Sequence, residues 1–123
     1  MPSNPKYTGR ASLGQRAEDL ACEHLRRIGF AIIARNVRLG RLELDVIAQR
    51  GVLVVFCEVR SRSDDRLMTP AQTIGPLKVR RLRHAAAQWL RQHGHGPIQV
   101  RFDVAAIVFD TPGGRLNYLE GAF

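Results

Sequence analysis

A chain of 123 residues fits one domain and leaves little room for two, and at 45% hydrophobic it holds enough apolar side chains for a packed core. That excludes a disordered tail or a disulfide mini-protein. Nineteen Lys and Arg against eleven Asp and Glu give a net charge of +8, so a polyanion is the first partner to consider.

The longest apolar runs, Val52 to Cys57 and Val104 to Phe109, are far shorter than the roughly 20 residues of a membrane helix. Met1 to Lys6 resembles no secretory signal, so the expectation is a cytoplasmic protein with no membrane partner. Cys22 and Cys57 both fall in apolar patterns and are too few for a thiolate zinc site; they read as reduced core residues.

Residues 1 to 11 are polar, with Pro2, Pro5 and Gly9, and read as a flexible basic arm ahead of a single domain over 12 to 123. Ser12 can cap a helix whose apolar positions, Leu13, Ala17, Leu20, Ala21, Leu25 and Ile28, recur at helical steps until Gly29 stops it. Phe30 to Leu39, Leu42 to Gln49 and Val52 to Arg60 read as three strands, with Arg50-Gly51 as a two-residue turn between the last two. Ser61 to Pro70 lacks periodicity and reads as a loop.

Pro76 opens a second helix with Val79, Leu82, Ala86 and Trp89 or Leu90 facing inward; Gly94 and Gly96 end it. Ile98 to Phe109 and Arg115 to Leu119 read as strands around a Pro112-Gly113-Gly114 turn. The order αβββαββ predicts an α/β fold, a mixed sheet flanked by helices.

With Arg50-Gly51 as the turn, Asp45 faces Phe56 and Glu43 faces Glu58. Leu42, Leu44 and Val46 then share an apolar face with Leu53, Val55, Cys57 and Val59, while Ile47, Val54 and Phe56 share a half-buried face with the acids. Opposed carboxylates, about 5 Å apart at Cβ, destabilise a sheet unless a cation neutralises them. A hard divalent cation would do so and suits phosphodiester chemistry; a salt-bridge lattice with Arg38, Arg41 and Arg60 is the alternative. Glu18 borders the buried stripe of the first helix, where it can reach the cluster or pair with Arg26 or a strand arginine.

Asp45, followed after twelve residues by Glu58-Val59-Arg60, resembles the PD-(D/E)xK nuclease signature. The wider set is Glu18-Asp19-Leu20-Ala21, Asn36-Val37-Arg38, Glu43-Leu44-Asp45-Val46-Ile47-Ala48, Phe56-Cys57-Glu58-Val59-Arg60-Ser61-Arg62, and Lys78 with Arg80-Arg81-Leu82. In that order, ending in Ala122-Phe123, it resembles the small bacterial YraN-like family, relatives of archaeal Holliday-junction resolvases.

The resemblance implies a restriction-endonuclease-like core and cleavage of duplex or branched DNA with Mg²⁺ or Mn²⁺. It implies Asp45, Glu58, the Val59 carbonyl and Glu18 as metal ligands, and Glu43 as a supporting acid. Gln72 stands where the family usually has an acid, Arg60 where the signature has lysine, and Leu42 where the family usually has glycine. Arginine cannot accept a proton but can orient a water or hold a phosphate. Symmetric cutting by resolvase relatives implies a homodimer.

Arg38, Arg62, Lys78, Arg80, Arg81 and Arg83 are the candidate phosphate contacts, with Arg60, Arg66 and Arg91 nearby; a solvated helical face is the alternative. Aromatic residues are too scarce for single-strand stacking platforms. His24, His84, His93 and His95 have no ligand spacing. The competing readings are a non-catalytic DNA-binding module of the same fold and an interaction protein with salt-bridged acids.

Overall fold

A computed structural model of the chain describes residues 12–63, 74–94 and 96–123. The first helix, α1 (Leu13–Arg27), begins with a reciprocal cap. The Gln15 N–H donates to the Ser12 hydroxyl while the Gln15 side chain accepts from the Ser12 N–H. Gly29 then takes φ +96, a conformation that ends the helix without a Cβ penalty.

The chain continues through β1 (Ala31–Leu39), β2 (Leu42–Arg50), β3 (Leu53–Arg62), α2 (Pro76–Gln92), β4 (Gln99–Val108) and β5 (Arg115–Leu119). These form one mixed sheet in sequence order, antiparallel except where β4 lies parallel to β3. Parallel neighbours need a crossover, and α2 lies in that connection. The observed order is the expected αβββαββ.

The helices cover opposite faces. Ala17, Ala21, Cys22 and Leu25 of α1 pack on Val46, Ala48, Val55, Cys57, Ala105 and Ile107. Leu82, Ala85, Ala86 and Trp89 of α2 pack on Leu44, Ile47, Val54, Phe56 and Phe102. Both cysteines are free and buried, as expected of core residues. Among the described residues no helix is long and apolar enough to cross a membrane.

Two features correct the expected hairpin. Arg50 pairs with Leu53, so the turn is Gly51-Val52 and the register moves by two residues. Gly51 takes φ +59 at the first central position, which glycine fills in II′ hairpins, and Val52 is left 58% exposed. Glu43 and Glu58 are therefore not opposed.

The second correction concerns alternation along β2. Leu44 and Ile47 lie on the α2 side, whereas Val46 and Ala48 lie on the α1 side. Leu42 likewise packs with the α2 cluster, so Leu42 and Leu44 do not share a face with Val46. The alternation slips at Asp45. On β1 the residue between the pairs Arg35↔Val46 and Val37↔Leu44 is Asn36, which carries φ +53. Asparagine tolerates this left-handed conformation better than most residues. The face expected to be half buried is fully covered by α2 at Ile47, Val54 and Phe56.

Candidate functional site

The site forms where β2 and β3 stop pairing, just beyond Val46 and Cys57. There the Val59 N–H donates to Asp45 Oδ2 at 2.8 Å, so a side-chain carboxylate replaces a rung of the ladder. Asp45, Glu43 and Glu18 each bring a carboxylate oxygen within 4.8 Å of the other two. α1 thus brings Glu18 to the strand acids, and a strand arginine also pairs with it, so both readings of Glu18 describe its position.

Burial pushes the Asp45 carboxyl up to about 7, reinforced by the Glu58 charge and more weakly by Glu18 and Glu43, while the Val59 hydrogen bond opposes the shift. Such a group resists ionisation unless positive charge arrives. The donors are all hard oxygens, the chemistry that Mg²⁺ or Mn²⁺ selects.

Glu58 stands outside that trio. It is buried, and Lys78 Nζ of α2 donates to its Oε1 at 2.8 Å; Arg60 Nε lies 3.9 Å from the same oxygen. Lys78, expected as a phosphate contact, is thus bound to an acid of the site.

Arg35 carries no signal in the signature, yet it anchors Glu18. Its guanidinium lies 3.3 Å from Glu18 Oε1 and 2.8 Å from Asp19 Oδ1. A strand arginine across from α1 was a legible partner for Glu18; the share taken by Asp19 was not.

Arg38 lies 3.4 Å from Glu43, one rung of the salt-bridge alternative. Arg80 and Arg81 are exposed on α2 and, with Arg41 and His84, line a groove of about 550 Å³ floored by Leu39, Leu42 and Ala85. Arg83 leaves that groove and places its guanidinium 4.8 Å over the Phe102 ring. Arg62 ends β3. Gln72 and Arg66, with the expected arm, lie outside the described residues. His93 caps α2 and stacks on Trp89, and His24 stacks on Tyr118, so neither joins the acids.

One buried acid escaped the sequence reading. Asp103 is fully buried on β4 and accepts from Arg101 Nε and Nη2 at 2.9 and 3.0 Å, from Tyr118 Oη at 2.6 Å and from the Gly121 N–H at 2.9 Å.

A model of the uncharacterised protein family UPF0102 matches residues 17–107. The chain belongs to UPF0102. A UPF0102 protein of Acidothermus cellulolyticus is 38% identical over 127 residues, covering 94% of this chain and 96% of the relative. One from Anaeromyxobacter dehalogenans is 41% identical over 94% of this chain and 86% of its own. One from Frankia alni is 42% identical over 91% and 94% respectively. The YraN-like resemblance holds at this level. The UPF0102 match spans Glu18, Glu43, Asp45, Glu58, Arg60, Lys78 and Asp103.

Proposed function

We propose that the chain is a metal-dependent DNA endonuclease of the restriction-endonuclease-like type, acting on duplex or branched DNA. The observation that carries this reading is Asp45: its carboxyl sits at the splay of two strands, beside Glu18 and Glu43, where burial and like charge push its pKa up to about 7. Asp45, Glu18 and Glu43 would hold Mg²⁺ or Mn²⁺, with Glu58 and the Val59 carbonyl next to them. The cation would activate a water and offset charge developing on phosphorus.

The remaining roles belong to side chains. Arg35 fixes Glu18. Arg60 stays charged and steadies a water or the scissile phosphate. Arg80 and Arg81 reach backbone phosphates along the α2 groove. A homodimer would present two such sites to a junction.

The test is incubation of supercoiled plasmid and a four-way junction with Mn²⁺. Slow cleavage that chelation stops is expected, and Arg60→Lys should speed it by about tenfold because an ammonium is smaller and can exchange a proton. An Arg60→Lys protein that binds Mn²⁺ and branched DNA yet cuts neither substrate would leave the non-catalytic DNA-binding module in its place. That second reading is favoured by Arg60 itself, a permanent cation 3.9 Å from Glu58 Oε1.

DNA affinity should fall steeply with salt and depend little on sequence. Reversing both Arg80 and Arg81 to Glu is expected to weaken duplex binding by about tenfold or more and to flatten the salt dependence. Because both side chains are exposed, thermal stability should hold. Unchanged binding in an anisotropy titration would remove α2 from the interface.

A further inference from the structure

The nuclease reading does not explain why Lys78 sits on Glu58. Lys78 lies in the first turn of α2, where the helix dipole disfavours a cation. That turn has no acidic residue, and Gly75 provides no side-chain cap. The lysine is therefore placed by its tertiary contact with Glu58, 2.8 Å away, and not by the helix.

The two partners differ in freedom. The Glu58 side chain is 8% exposed and fixed on β3, whereas the Lys78 side chain is 41% exposed on a flexible stem. Lys78 can leave; Glu58 cannot. While the ammonium occupies Oε1, that oxygen has less to offer a second cation.

Arg80 and Arg81 follow on α2 and line the groove with Arg41 and His84. Lys78, its side chain 41% exposed, stands at the start of the same helix, less than one turn before Arg80 and Arg81.

Resting on the nuclease reading, we propose that Lys78 is a positioning residue that couples divalent cation and nucleic acid. Without nucleic acid it holds Glu58. When a backbone phosphate takes its ammonium, Glu58 is released to the cation, so each ligand tightens the other, and linkage makes the effect reciprocal.

Calorimetric titration of the full chain with Mn²⁺, alone and with a hydrolysis-resistant phosphorothioate duplex, tests this. The duplex should tighten Mn²⁺ binding to the wild type by about fivefold or more. Lys78→Met should bind Mn²⁺ about fivefold more tightly without DNA, and the duplex should then add less than about twofold. Arg27→Met removes the same charge from an exposed position at the end of α1, outside the site, and should leave Mn²⁺ affinity within about twofold. If Lys78→Met fails to fold by circular dichroism, Lys78→Gln carries the same expectations. Mn²⁺ affinity that does not rise in the Lys78 variant, rises equally in Arg27→Met, or keeps its full response to DNA overturns the coupling. Absence of Mn²⁺ binding in the wild type and every variant overturns the nuclease reading beneath it.

Discussion

At pH 8, Asp45→Asn is expected to raise the melting temperature by about 10 °C while ending the proposed metal-dependent cleavage. Asp45 ionises near 7 in the fold against 3.8 normally, because it is buried and faces Glu58, Glu18 and Glu43. Above 3.8 the unfolded chain gives up this proton while the folded one retains it. Stability therefore falls as pH rises from about 4 to about 7 and stays reduced above that.

The gap sets an upper bound of about 4 kcal/mol, and partial access to solvent lowers the expected gain to about 2–3 kcal/mol. Asparagine still offers an oxygen to the Val59 N–H, so the strand junction keeps its hydrogen bond. At pH 4 the two proteins should melt together. Mn²⁺ at pH 8 should stabilise the wild type and not the variant. A lower melting temperature for Asp45→Asn at pH 8 would show Asp45 paired to an arginine, and the salt-bridge lattice would stand.

Asp103→Ala is expected to cost about 3–5 kcal/mol, a melting temperature lower by more than about 10 °C. Removing the carboxylate takes the acceptor from Tyr118 Oη and the Gly121 N–H together. Arg101 keeps Glu120, 3.7 Å away at an exposed position, and the Phe30 ring, 5.9 Å from its guanidinium. The loss should be felt at the last turn, where the Ala122 N–H donates to the Phe102 carbonyl and the Phe123 ring lies 5.3 Å from Phe102. Hydrogen exchange at Gly121 and Ala122 should accelerate first. A loss under about 1 kcal/mol in thermal denaturation would mean that water replaces the carboxylate and that the network does not hold the end of the sheet.

Local signals made much of this fold legible. Ser12 and Gln15 spell a cap, Pro76 fits the start of α2, and the apolar spacing of both helices names the faces that are buried. What depended on one backbone angle was not legible. Whether Arg50 or Gly51 begins the turn is decided by the positive φ of Gly51, and that choice moved every pairing of β2 with β3. The slip at Asp45 was hidden because Glu43-Leu44-Asp45-Val46 alternates in polarity without alternating in space. Lys78 and Glu58 meet only through the crossover, and nothing local joins them. Asp103 is one polar residue within a buried strand and drew no reading; the flanking Arg101 and the distant Tyr118 were the available clues.

The irregularity along β1 also bears on how copies of the chain can associate. Among the described residues β1 ends the sheet and one side of its backbone has no strand partner, and such an edge can template another strand. Here the pairing shifts between Ile32 and Ala34, Asn36 turns to φ +53, and Arg38 stands exposed beyond it. A flat incoming strand would lose register at the first break and meet a kink at the second. An assembly that continues the sheet through β1 is thereby disfavoured. The proposed homodimer would then meet through a face other than the β1 edge, whose Arg35 holds Glu18.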